Sequence, residues 1–183
     1  MPKDYAALPV NEVRRSDRSM EDAWIVEMLH TAPIAALATV HEGQPFINTN
    51  LFVYDEAAHV IYMHTARYGR TRSNVEDYER VCFSVSEIGR LLPADEALEF
   101  SVEYAGVTVF GRSTIIEDAE AEHALQILLD KYAPHLRPGR DYRPTTPEEL
   151  KRTSVFRIEI DSWSGKRKQA EPDFPGAFLY GKH

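Results

Sequence analysis

The stretch YMHTARYGRTRSN, residues 62–74, crowds Arg67, Arg70 and Arg72 around Gly69. It reads as the end of a strand, a tight turn and the first turn of a helix. A helix start offers backbone N–H groups without intrahelical partners and a partial positive charge, which together favour an anion. Arginine forks suit phosphate oxygens. A glycine lets backbone and ligand approach closely, and Thr65 and Thr71 add hydroxyl donors. The chemistry on offer is phosphate binding. The competing reading is a solvated turn whose arginines pair with Glu76, Asp77 and Glu79.

Three further polar or aromatic groups stand out. Asn48 and Asn50, in PFINTNLFVYD, alternate onto the face that carries Phe46 and Phe52. Amides on an apolar face need partners, so they either grip the edge of a flat heterocycle or bond across the sheet. His64 shares a strand face with Tyr62 and Ala66, as a ligand contact or a structural hydrogen bonder. Trp163 closes the last strand before the basic run Lys166, Arg167, Lys168. Its indole can pack on a ligand, a partner subunit or the core.

Other chemistries lack their residues. The seven histidines are scattered without metal-like spacing, and Cys82 has no cysteine partner, so neither zinc nor an intrachain disulfide is expected. Cys82 is expected to be an inert core thiol. No G-x-S-x-G, Walker or G-x-G-x-x-G pattern occurs. Nothing assigns a catalytic acid, base or nucleophile.

The elements that position these groups follow from periodicity. SMEDAWIVEMLHTAP reads as a helix with Ser19 as N-cap and an apolar face of Trp24, Ile25, Met28 and Leu29. Strands are expected at 34–40, 45–55, 60–66 and 81–86, with a short helix at 70–79. The stretch 99–116 is a long β segment in which Gly106 and Gly111 suggest bends or bulges. A second helix follows, with acids at its start and a stripe of Ala121, Leu125, Leu128, Leu129 and Tyr132. A helical turn at 147–151 and a last strand at 154–165 complete the reading. Short links favour antiparallel pairing. The expected fold is mainly β with packed helices, an antiparallel barrel or sheet.

Composition bounds the partners. The chain has 183 residues, 43% hydrophobic and 27% charged, which suits one globular domain able to bury a core. Its 29 acidic and 21 basic residues argue against a general nucleic-acid binder. No membrane helix or signal peptide is expected, and the single cysteine fits a cytoplasmic setting. The expected layout is an N-terminal arm at 1–17, a domain at 18–168 and a C-terminal tail at 169–183.

The ordered segments LATVHEGQPFINTNLFVYDE, IYMHTARYGRTRSN, VCFSVSE, EYAGVTVFGRSTIIED and FRIEIDSWSGK resemble the pyridoxamine 5′-phosphate oxidase-like flavin-binding family, closest to the branch with the nitroimidazole-resistance proteins. The resemblance spans about residues 12–168. It implies an antiparallel split β-barrel that forms a homodimer and binds FMN at the subunit interface. It places Asn48, Thr49 and Asn50 at the polar edge of the isoalloxazine ring. It places His64, Thr65 and Ala66 beside the ribityl chain, Arg67 and Arg70 at the phosphate, and Trp163 against the flavin across the dimer. Haem or a deazaflavin replaces FMN in some relatives. The tail PDFPGAFLYGKH lacks the Arg- and His-rich substrate motif of the true oxidases, and Tyr68 stands where they often carry lysine. The implied function is therefore reduction of a small aromatic or nitro compound with electrons from NADH or NADPH. A non-catalytic flavin carrier and a haem protein with His64 as axial ligand are the alternatives.

Overall fold

The computed structural model describes residues 4–182. Positions 1–3 of the expected arm and 183 of the expected tail lie outside the described residues. In chain order the elements are β1 (Ser19–Met20), α1 (Asp22–Thr31), β2 (Ala35–His41), β3 (Gln44–Asn50), β4 (Phe52–Asp55), β5 (Val60–Ala66), α2 (Arg70–Asp77), β6 (Arg80–Leu92), β7 (Ser101–Ile116), α3 (Asp118–Tyr132), α4 (Pro147–Leu150), β8 (Thr153–Lys168) and β9 (Phe178–Leu179).

These strands pair antiparallel in the order β3-β2-β6-β7-β8-β5-β4, with β1 on β8 and β9 on β6. Leu51 alone separates β3 from β4, yet these strands end the order on opposite sides. The sheet must therefore curl until its two edges approach, and the expected split barrel follows. Asn50 stitches the seam. Its Nδ2 donates to the carbonyl of His64 on β5, and its Oδ1 accepts the Leu51 N–H at 2.8 Å. A short amide side chain satisfies backbone groups that a bent strand cannot pair.

Both faces of β5 are covered, which explains its unbroken apolar run VIYM. Ile61 and Met63 join the barrel core with Leu37, Phe52, Phe83, Val107 and Phe156, capped by Ile25, Met28 and Leu29 of α1. Val60 and Tyr62 point the other way and pack with Val155 on Ala121, Ala124 and Leu128 of α3. Phe52 and Phe83 meet edge-on at 5.0 Å in the barrel core. Such a pair adds about 0.5–1.5 kcal/mol beyond the area it buries.

Four expectations are corrected. Ser19 does not cap α1; it pairs with Lys166 in β1, and Glu21 holds the N-cap position. The tertiary strand pairing outweighs the capping preference of serine. The single strand expected at 45–55 is two strands bent at Leu51. Gly111 sits at a β7/β8 register shift, where a Cβ would stand 2.0 Å from the Glu159 carbonyl oxygen, but Gly106 is in unbroken register. Cys82 faces away from buried Val81 and Phe83 and is only half-buried. Burial still raises its thiol pKa.

The tail is docked. Arg90 on β6 pairs with Glu103 on β7 at 2.7 Å. It also donates to the carbonyls of Ala170, Glu171 and Pro172. Glu103 accepts the Ala170 N–H, and β9 adds to β6 beyond this clamp.

Candidate functional site

The turn from β5 to α2 gathers most of the expected residues and sends its arginines in three directions. Arg67 is fixed by its backbone, whose N–H donates to the Arg152 carbonyl and whose carbonyl accepts from Ser154 Oγ. Its guanidinium turns toward α3 and meets Glu117 at 3.3 Å. Arg72 points inward, donating to Ser154 Oγ at 3.1 Å and pairing with Glu76 at 2.8 Å. Of the carboxylates expected to neutralise this turn, Glu76 does so for Arg72, whereas Asp77 contacts His41.

Arg70 is different. It is exposed, makes no ion pair among the described residues, and its guanidinium carbon lies 5.9 Å from the centre of the Phe46 ring on β3. It is the first residue of α2, whose N-cap, Gly69, supplies no side-chain hydrogen bond. No atom lies within 4 Å of where a Gly69 Cβ would stand, so the approach to the helix start is open. The remainder of α2 is anchored: Thr71 and Asn74 are buried, and Asn74 Nδ2 donates to buried Thr39 Oγ1 on β2 at 2.9 Å.

β3 borders this opening. Phe46, Asn48 and Asn50 share its half-buried face, while Ile47 and Thr49 are exposed on the other. Asn50 is committed to the barrel seam, the internal bonding considered above. Thr49 points away from the face that holds both asparagines. Phe46 was absent from the candidates, although the alternation that selected Asn48 and Asn50 places it with them.

His64 turns toward α3 with Tyr62. It lines a cleft of about 340 Å³ with Leu125, Leu128, Leu129 and Arg143. Its Nδ1 is buried and has no hydrogen-bond partner among the described residues. Burial lowers its pKa, so the ring is neutral at neutral pH. Thr65 donates its hydroxyl to the Ala66 carbonyl.

Trp163 is not brought to this turn within one subunit. It lies about eight positions past Val155, the register partner of His64, on the order of 25 Å along β8. Its indole N–H donates to Asp22 at 2.7 Å, and its ring meets His59 and Tyr54 edge-on.

The pyridoxamine 5′-phosphate oxidase family model matches residues 21–167. The chain belongs to the pyridoxamine 5′-phosphate oxidase family. The match covers α1 through β8 and so includes the turn, the β3 face and Trp163. No curated protein matches the sequence. Among solved structures, the FAD- and haem-binding protein of Mycobacterium smegmatis has a TM-score of 0.74 at 25% identity, over 85% of this chain and 75% of that one. A flavocytochrome of Azotobacter vinelandii has 0.73 at 22%, over 87% and 73%. A candidate 5-nitroimidazole antibiotic resistance protein of Bacteroides thetaiotaomicron has 0.66 at 22%, over 81% and 86%. The family member described here shares the split barrel with all three. No helix among its described residues is long and apolar enough to cross a membrane.

Proposed function

We propose that the protein binds a flavin, with the phosphate of its FMN moiety at the start of α2. The observation that carries this reading is Arg70: an unpaired guanidinium beside an uncapped helix start, open at Gly69. Arg70 holds phosphate oxygens, and Phe46 and Asn48 present an aromatic ring and an amide to the flavin. The residue types fit the group: a cation and free N–H donors for the phosphate, an apolar and amide-bearing strand for the ring. The resemblance gives Arg67 to the same phosphate, which it reaches only by turning its guanidinium away from Glu117.

A bound flavin supplies two-electron transfer between a nicotinamide and a small aromatic or nitro acceptor, while the protein contributes position and electrostatics. The resemblance to the family implies a homodimer. Its contact is the half-buried sheet face where Ala36, Ala38, Cys82, Ser84 and Thr108 lie in register. The resemblance gives Trp163 to the partner's flavin, but its ring shares the barrel-core side of the sheet with its register partner Val109, opposite this contact face, so the role requires the indole to leave Asp22.

A second reading, haem ligation by His64, is favoured by its unpartnered buried Nδ1 and leucine-lined cleft. The spectrum of the purified protein separates the two. Flavin absorbance, together with a thermal shift on adding FMN, supports the first. A Soret band with no flavin response supports the second. Bleaching by NADH or NADPH and reoxidation by an added nitroaromatic identifies an enzyme; a flavin inert to both identifies a carrier.

A further inference from the structure

An open groove of about 790 Å³ lies between α2, the link from α2 to β6 and the end of β7. Val75 and Ile115 line it with apolar side chains, and four carboxylates, Glu76, Asp77, Glu79 and Glu117, face the single guanidinium of Arg72. Glu76 and Asp77 are the last two residues of α2, whose final turn holds no basic residue. A helix C-terminus presents unpaired carbonyls and a partial negative charge, so carboxylates there add to a charge that a cation would offset. The partners these carboxylates have are weakly held. Glu76 pairs with Arg72 and Glu117 with Arg67, but their side chains are 50% and 62% exposed, and such contacts exchange readily. Asp77 meets an imidazole, His41 Nδ1 at 3.1 Å. Glu79 makes no ion pair among the described residues.

Ser113 adds an independent observation. It lines the same groove and is 1% exposed. Its backbone N–H donates to the Glu79 carbonyl at 2.8 Å, yet its Oγ has no hydrogen-bond partner among the described residues. A buried hydroxyl without a partner is costly to the fold, and a ligand carrying N–H groups would satisfy it.

The spread of the carboxylates decides the kind of cation. Among the described residues no three histidine, cysteine or carboxylate side chains converge closely enough to hold a metal ion. A ligand that meets these acids together must distribute its charge along an extended chain. We infer that the groove binds an aliphatic polyamine. Its ammonium groups meet Glu79 and the carboxylates at the end of α2, Ser113 Oγ accepts an N–H, and its methylenes lie on Val75 and Ile115. The site uses neither Arg70 nor Phe46 and stands apart from the flavin reading.

Isothermal titration of the full chain at low salt tests it, with spermidine, putrescine and Mg²⁺ as separate probes. The expected result is saturable binding of one spermidine per chain, with putrescine and Mg²⁺ each roughly tenfold weaker or more, as befits the loss of a charged contact. Glu79→Gln and Ser113→Ala should each weaken spermidine roughly three- to tenfold. Glu87→Gln, an exposed acid on β6 outside the groove, should leave it unchanged and so controls for net charge. Ser113→Ala should keep a thermal midpoint at or above the parent's, because the hydroxyl it removes has no partner, so its weaker binding is read on a folded protein. Absence of saturable spermidine binding overturns the inference. So does Mg²⁺ binding as tightly as spermidine, an equal loss in Glu87→Gln, or unchanged affinity in both groove variants.

Discussion

Arg70 and Arg90 make opposite use of one side chain. Arg90 stands where two strands and the tail meet, and its donors are taken by Glu103 and three tail carbonyls. Its partner responds: hydrogen bonds from Arg90, then from the Ala170 N–H, hold the Glu103 carboxyl at about 2, well below the usual carboxylate range. Arg70 stands at a helix start with an aromatic ring for company and no carboxylate. A satisfied cation stitches the fold together, and an unsatisfied one beside unpaired N–H groups waits for an anion. The difference separates two clusters that composition alone would rank alike.

The comparison can be broken from either side, and the clamp gives the largest effect. Arg90→Ala removes the guanidinium donors from Glu103 and from the three tail carbonyls. Amide exchange at 170–179 should accelerate by orders of magnitude as the tail opens, with FMN affinity within about twofold of the parent. Unchanged exchange would show that β9 pairing alone holds the tail. Next in size is salt. Raising ionic strength from 50 to 500 mM should weaken FMN several-fold through screening of the exposed Arg70 contact, and leave tail exchange nearly unaltered. Equal sensitivity of both would erase the distinction between open and satisfied cations.

His64 gives a smaller effect that depends on pH. Its folded pKa lies below the ordinary imidazole value of about 6.5 because burial disfavours the charged ring. The unfolded chain then binds more protons, so stability is full above about 6.5 and declines as pH falls below it. His64→Gln should flatten that part of the curve of denaturation midpoint against pH between about 7 and 5. A parent curve with no slope there contradicts the buried neutral ring. The smallest effect belongs to Arg72→Ala. It removes one i,i+4 pair, worth about 0.3–0.5 kcal/mol, and one hydrogen bond to Ser154, worth about 0.5–1.5 kcal/mol. A modest drop in thermal midpoint, with little change in flavin binding, is expected.

Helices α1 and α3 and the barrel class were legible because 3.6-residue spacing and alternation report burial directly, and β5 showed as a short apolar run. The bend at Leu51 was not. Alternation runs smoothly from Phe46 to Phe52, and only the placement of β3 and β4 on opposite edges reveals that the chain turns there. Ser19 misled for a related reason: its local capping preference yields to a pairing with Lys166, far away in sequence. The far half of β6, around Gly89 and Arg90, carries little apolar pattern because its hold comes from β7 and the tail.

At the site, sequence brought Arg67, Arg70 and Arg72 together but could not tell that they diverge. Their directions depend on Glu117, Phe46 and Ser154, which come from three other parts of the chain. Asn48 and Asn50 look equivalent in NTN, yet Asn50 is committed to the seam. Trp163 illustrates the limit of one subunit, since its proposed role requires a second.

The central claim is that Arg70 and the start of α2 hold a flavin phosphate. The most direct measurement is the ratio of FMN to riboflavin affinity in the parent and in Arg70→Ala, because the two ligands differ only in that phosphate. The account predicts that FMN binds far more tightly than riboflavin to the parent. It predicts that Arg70→Ala lowers FMN affinity roughly ten- to a hundredfold, the value of one charged hydrogen-bonding group, with riboflavin affinity and thermal midpoint nearly unchanged. An FMN to riboflavin ratio that survives the substitution intact would contradict it.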